Sequence, residues 1–458
     1  MSRQDIKRDQ MLTEPMYRVI PSMALPTIMA FLVNSIYGLA DTYFVSHLGT
    51  NATAAVSVNA SLDQMIMMAG SLLAIGANSY VARLLGAGED GKASRVLSTA
   101  FFIAMGFGAV VLLFGHLNMR GLVHLLGATE SCEQYSMDYA RYVLLVAPFM
   151  TCNFVMNQCL RAEGSATRSM IGMGFGSILN CFLDPIFIFW LDLGVVGASM
   201  ATAISKLVSF AILIFPYLSR RSLLRLSVEL VTLSRDILTQ ILTIGSSSFF
   251  RHMMTVVSAI VLNNIAGNIS ESALAAMGVT HRVMMFSFSV VMGFCSGFQP
   301  VAGFNWGAKR YGRVLDSYRF ATKAVLVIAL VLALGFGLFA EKLVYLFSEN
   351  DPELLWIGTM CIRLQCIAMP IHGWVAVVNM YCAGLGKAKY ALLLSVARQG
   401  ICFLPVAFPL GLLFGKTGVA SVQAVADTLT LFIAVPVIIK VNGMVKEKLE
   451  AQGAFRVI

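Results

Sequence analysis

Long apolar runs separated by short polar connections recur along the whole chain. A helix needs about 20 apolar residues to cross the hydrocarbon core of a bilayer, and these runs reach that length. The pattern predicts twelve transmembrane helices, at 16–46, 53–82, 96–118, 134–160, 169–190, 195–218, 237–265, 272–305, 320–340, 353–383, 389–413 and 418–440. The first contains PSMALPTIMAFLVNSIYGLADTYFV, Pro21 to Val45, with a single acid, Asp41. The expected fold is all-α and polytopic.

Composition agrees with that reading. The 458 residues are 58% hydrophobic and 12% charged, whereas a soluble globular domain would carry about 25% charged residues. Lysines and arginines fall in alternate connections: Arg83, Lys92 and Arg95; Arg161 and Arg168; Arg220, Arg221, Arg225 and Arg235; Lys309, Arg310, Arg313 and Arg319; Lys387 and Lys389. The amino terminus adds Arg3, Lys7, Arg8 and Arg18, and the tail adds Lys440, Lys446, Lys448 and Arg456. Basic loops stay on the cytoplasmic side, so both termini are expected inside and the protein in the cell (cytoplasmic) membrane. This alternation accounts for the net charge of +9 without a nucleic-acid partner. Met1 to Gln10 is polar and does not read as a removable signal peptide. The nine cysteines form no CxxC pair and read as small core residues, neither bridged nor metal-binding. No phosphate-binding loop, HExxH or serine elbow is present. The expectation is a protein without cofactor or metal, driven by an ion gradient.

The chain also repeats itself. At an offset of 221, Ala54 matches Ala275, Val58 matches Val279, Gly76 matches Gly297, Gly86 matches Gly307 and Gly91 matches Gly312. At 222, Gly164 matches Gly386 and Ala166 matches Ala388. Six spans per repeat make both halves enter the membrane from the same side, so two six-helix lobes related by a pseudo-twofold axis along the membrane normal are expected, with substrate between them. The expected division is an amino-terminal lobe at 1–218, a cytoplasmic linker at 219–236, a carboxy-terminal lobe at 237–446 and a tail at 447–458.

Depth then groups the buried polar residues. Asp41 in the first span, Asn180 and Asp184 four apart on one face of the fifth, and Thr202 in the sixth fall together in the outer half of the first lobe. Carboxylates kept within a membrane mark ion or proton pathways, although a fully hydrogen-bonded structural knot is the alternative. Pro26 and Pro185 can each kink a helix. Pro26 lies 15 residues before Asp41 and Pro185 directly follows Asp184, so both are candidate hinges; a static kink is the competing reading.

LADTYFVSHLG closing the first span, GANSYVARLLGAG closing the second, LRAEGSATR after the fourth, NCFLDPIFIF and LGVVGASMATAIS through the fifth and sixth, and GFNWGAKRYGR in the second half resemble the MATE family of multidrug and toxic compound extrusion transporters. The resemblance spans essentially the whole chain. It implies an antiporter, not an enzyme, exporting amphipathic, often cationic compounds in exchange for protons or sodium ions. It is nearer to the DinF-like branch than to the NorM-like one. The cation site implied by that branch matches Asp41, Asn180, Asp184 and Thr202, with Asn157 in the fourth span as a further carry-over. NorM-like members carry acids on the seventh and tenth spans; this chain has none there, so coupling is expected to rest on the first lobe and to use protons.

Other polar and soft residues have two readings each. Asp63 and Asp427 line a cleft or pair locally. Arg251, His252, His281, Arg282, Arg363 and Arg398 concentrate positive charge in the second lobe, where they meet an anionic group or snorkel to an interface. His372 is a titrating group or a satisfied buried ring. Met65, Phe149, Met285, Phe286, Phe288 and Met292 suit an adaptable hydrophobic cleft or plain helix packing. The expected partners are small amphipathic organic substrates and membrane lipids, with a single chain as the working unit. A lipid or lipid-linked precursor flippase of the same superfamily is the alternative function, and an intramembrane lipid-modifying enzyme a lower one.

Overall fold

The computed structural model describes residues 3–347 and 351–454, so Arg456 of the tail lies outside the described residues. A short helix α1 (Arg3–Thr13) precedes the first lobe, which is built from α2 (Met16–Ser46), α3 (Thr50–Ala87), α4 (Asp90–Leu117), a short α5 (Met119–Leu125), α6 (Glu133–Ala162), α7 (Ala166–Pro185) and α8 (Gly194–Leu218). Pro185 ends α7, and a π turn at Ile186–Trp190 follows it. The second lobe holds α9 (Arg235–Ile269), α10 (Glu271–Gly307), α11 (Tyr311–Tyr345), α12 (Pro352–Gly384), α13 (Ala388–Val396), a π turn at Ala397–Ile401 and α14 (Phe403–Ala454).

Eleven helical elements among the described residues are long and apolar enough to cross a membrane, and the last, Ala388–Gln452, has 65 residues. At 1.5 Å per residue such a helix would be about 100 Å long, some three times a hydrocarbon core. It folds back at Gly415, whose φ of 53° and ψ of −126° interrupt α14, so that Phe403 and Ala407 are buried in one cluster with Val422 and Ala426. The chain therefore makes the expected twelve passes. The helices outrun the predicted spans, as α11 does at both ends. Hydropathy locates only the apolar middle, and Arg313, Asp316, Arg319 and Lys342 lie on the polar turns beyond it.

The lobes meet through α2 on α10, α3 on α9, and α3 on α10. Glycines on α3, α9 and α10 bring the backbones of the two lobes into contact, and two of them are related by the repeat. A Cβ on Gly86 would lie 2.0 Å from the Phe304 carbonyl oxygen, and one on Gly307 would lie 1.9 Å from that of Arg83. Adding 221 to 83 and 86 gives 304 and 307, so the two contacts exchange under the pseudo-twofold. Burial is continuous from Val291 to Asn305 and nearly so from Gly70 to Gly86, but intermittent along the preceding halves of α3 and α10. The lobes are thus sealed at the end bearing the basic connections and looser at the other. Polar contacts trim the sealed end: Tyr80 OH donates to Asp236 Oδ2 at 3.0 Å, Lys92 Nζ lies 3.1 Å from the same oxygen, and Arg83 Nη2 donates to Gln240 Oε1 at 3.0 Å. The Lys92–Asp236 pair is half exposed, and such pairs contribute about 0–1 kcal/mol. The seal is held by backbone packing more than by charge.

The connection between lobes is docked along much of its length. Ser94 Oγ and Ser98 Oγ on α4 accept from the amides of Arg225 and Ser227, and Thr99 Oγ1 accepts from that of Thr232. Glu163 Oε2 accepts from Ser222 Oγ and the Leu223 amide.

Candidate functional site: buried acids in the first lobe

Each predicted acid hangs from a different helix. Asp41 on α2 is 7% exposed and Asp184 near the end of α7 is fully buried. With its amide oriented to satisfy its neighbours, Asn180 donates to Asp184 Oδ2 at 2.8 Å and accepts from Thr202 Oγ1 at 3.2 Å and from the Thr202 amide at 3.0 Å. The i, i+4 spacing on α7 brings Asn180 and Asp184 together, and α8 supplies Thr202 from the facing helix. Asp184 and Asp41 lie within electrostatic reach of each other. The structure therefore joins Asp41, Asn180, Asp184 and Thr202 in one cluster.

Two further charges complete it. Asp63 on α3 and Lys206 on α8 are electrostatic neighbours of Asp41 and of each other. The Lys206 ammonium stands 5.4 Å from the centre of the Tyr37 ring, and Tyr37 and Tyr139 lie in the neighbourhood of Thr202. Asp41 Oδ1, Asp63 Oδ1 and Asp184 Oδ1 are buried with no hydrogen-bond partner among the described residues. Burying an ionised carboxylate without pairing is costly, so these oxygens are places where a proton or a small cation lowers the energy. Sequence reading missed Lys206, although it follows Thr202 by four residues on the same face of an otherwise apolar span. Tyr37 and Tyr139 gave no signal, because a tyrosine in an apolar run reads as packing.

Asn157 is not part of the cluster. Its Nδ2 donates to the Ser169 carbonyl at 3.1 Å and its Oδ1 accepts from Arg161. The same contact recurs in the second lobe, where Asn379 Nδ2 donates to the Ala391 carbonyl at 2.9 Å, both residues displaced by 222. Asn157 and Asn379 are repeat-related clamps tying α6 to α7 and α12 to α13. Replacing either by alanine removes the side-chain bond that ties the two helices and is expected to cost about 0.5–1.5 kcal/mol of stability, measured as a lowered thermal midpoint in detergent. The pH dependence of transport should be unchanged.

The candidate cleft residues divide. Met65 and Phe288 are 48% and 41% exposed, while Met292 is buried in the core. Phe149 packs edge-on against Phe210 at 5.0 Å within the first lobe. Met285 and Phe286 are partly buried. Pro26 lies inside the continuous helix α2, between the sealed end and Asp41. Among the described residues no three His, Cys, Asp or Glu side chains converge as a metal-holding group.

Comparison with known proteins agrees with this architecture. The multidrug export protein MepA of Staphylococcus saprophyticus is 28% identical over 416 residues, covering 91% of this chain and 92% of its own. MepA of Staphylococcus aureus is 27% identical over 425 residues, covering 93% and 94%. A multidrug resistance MATE transporter of the MOP superfamily solved in an outward-facing conformation superposes with a TM-score of 0.90 at 24% identity, over 96% of this chain and 98% of that one. A MATE structure in a bent conformation superposes at 0.89 with 24% identity, over 98% and 99%. The MatE family model matches twice, at residues 26–186 and 248–409, once in each lobe. Two matches that fall on the two repeats and together span most of the chain show that this protein belongs to the MatE family of multidrug export transporters.

Proposed function

We propose that this chain is a proton-coupled antiporter that exports amphipathic, often cationic organic compounds across the cytoplasmic membrane by alternating access, with both termini in the cytoplasm. The observation that carries the reading is the first-lobe cluster: three carboxylates on α2, α3 and α7, each with a buried oxygen that has no partner among the described residues, around one lysine. Protons suit it because Lys206 already supplies a fixed positive charge beside Asp41 and Asp63. Substrate enters between the lobes from the cytoplasm or inner leaflet. The seal at Gly86 and Gly307 then closes the basic end, and protonation of Asp41 and Asp184 from the outer side weakens the hold on a cationic substrate and favours release. Exchange requires that proton and substrate bind antagonistically, and this coupling is reciprocal. Pro26 on α2 and Pro185 at the end of α7 are the places where protonation would alter helix direction. A single chain with both lobes suffices as the working unit, with lipid and substrate as its partners.

The test is export of a fluorescent cationic dye from proteoliposomes under a proton gradient alone and under a sodium gradient alone. Export is expected with the first and absent with the second; the reverse result would assign sodium and overturn proton coupling. A second reading, a flippase for an anionic lipid or lipid-linked precursor, is favoured by one observation, the partly exposed second-lobe arginines Arg251 and Arg398. Headgroup-dependent scrambling without dye export would select it.

A further inference from the structure

The two lobes have opposite polarity. Where the first holds Asp41, Asp63, Asn180, Asp184 and Thr202, the repeat offsets of 221 and 222 place Leu262, Met284, Cys402, Val406 and Ala424 in the second. About one helical turn away, the offset of 222 converts Gly176 and Ser205, a tight contact between α7 and α8, into Arg398 and Asp427. Arg398 Nε donates to Asp427 Oδ1 at 2.6 Å and its Nη2 to Oδ2 at 3.3 Å, while Gln423 Nε2 donates to Oδ1 at 2.9 Å. Arg398 lies on the π turn at Ala397–Ile401, a backbone form that is rare and found mostly at functional sites.

Asp427 neutralises only one of the positive charges gathered here. Arg251 on α9 lies within electrostatic reach of Arg398; its Nη2 donates to Ser248 Oγ at 3.0 Å, and among the described residues no carboxylate pairs with it. His372 on α12 senses both Arg398 and Asp427, and neither of its ring nitrogens has a hydrogen-bond partner among the described residues. The Phe288 ring stacks on the His372 ring, with centroids 6.0 Å apart and planes 13° from parallel. An unpaired guanidinium at membrane depth is costly unless an anion meets it, and its planar fork fits a carboxylate or phosphate.

We propose that Arg251 and the Arg398–Asp427 pair form an oxyanion subsite of the inter-lobe cleft, and that the adjoining Phe288–His372 stack accepts a planar apolar body, so that the second lobe binds amphipaths carrying a carboxylate or phosphate. The subsite rests on the cleft described under the proposed function, but binding needs no gradient. It can therefore be tested whether or not coupled export is found. The fixed charge is on the protein, and the complementary one comes with the ligand.

The experiment measures binding of pyrene-1-butyrate and of its methyl ester, which has the same apolar body without charge, to the purified full-length protein in detergent. Hydrogen bonds to charged groups should favour the acid over the ester about ten-fold or more. Arg251→Gln should bring the acid to the level of the ester without orphaning Asp427. Arg398→Leu combined with Asp427→Leu, which removes the pair together, should reduce the same preference without leaving a lone buried charge. Phe288→Ala should weaken acid and ester equally. Lysophosphatidic acid displacing pyrenebutyrate from wild type supports one oxyanion site shared by carboxylate and phosphate. Equal affinity for acid and ester in wild type, a preference that survives Arg251→Gln, or binding of the phosphate lipid with no preference for acid over ester overturns the proposal.

Discussion

Asp41→Asn should reduce proton-driven export about 100-fold, near the upper end of typical coupling between two ligand sites, while leaving the protein folded. The substitution preserves shape and removes the ability to exchange a proton at one site. Asp41 Oδ1 accepts no hydrogen bond among the described residues, so the change breaks no architectural contact. Elution profile and thermal midpoint in detergent should match wild type. Substrate should still bind, but its affinity should lose most of its pH dependence. Asp184→Asn is a less clean probe, since Asp184 Oδ2 accepts from Asn180 and a disturbed α7 would confuse coupling with folding. Normal proton-driven export by Asp41→Asn would remove the first-lobe cluster from the mechanism.

Gly86→Val and Gly307→Val should each drive the protein out of the arrangement seen here. The added side chain would collide with backbone carbonyls of the opposite lobe at about 2 Å, and backbone has no rotamer to yield. Overpacking of this kind costs about 1–3 kcal/mol or more, enough to shift a two-state population about 5- to 150-fold. Spin labels at Glu89→Cys and Lys309→Cys report the separation of the lobes at the sealed end. Cys181, the one native cysteine among the described residues that is not buried, is replaced by serine for labelling. Both valine variants should move the distance distribution outward. Gly278→Val, where an added Cβ meets nothing within 4 Å, should leave it unchanged. An unchanged distribution in both seal variants would mean that the lobes do not separate there.

The repeat pairs Gly86 with Gly307 in the sequence, but only the structure shows why: each packs on backbone of the opposite lobe. The acids Asp41 and Asp184 were legible for a different reason, since charge in an apolar run has a cost that only a site or a knot can justify. Lys206 obeys the same logic, but a lone lysine in a span reads more readily as a snorkelling base than as a partner of acids on other helices. Asn157 came from family likeness, yet its repeat mate Asn379 points to architecture. Methionine and phenylalanine positions were the least legible. Met65 and Met292 are equally apolar in sequence, but one is half exposed and the other buried, and only the packing of neighbouring helices separates them. The reversal at Gly415 was anticipated by the break between two predicted spans. The docking of the connection on α4 was not, because scattered serines and threonines reveal no partner until both segments are placed.

That docking has a mechanical consequence. A connector fastened at Ser222, Leu223, Arg225, Ser227 and Thr232 has little slack and travels as part of the first lobe. The free joint between the two halves shrinks to the few residues between Thr232 and Arg235. If the halves were expressed as two separate polypeptides, a cut just after Thr232 would give each one its own complete surface. A cut in the middle of the connector would strip the first half of a segment of its own outer wall.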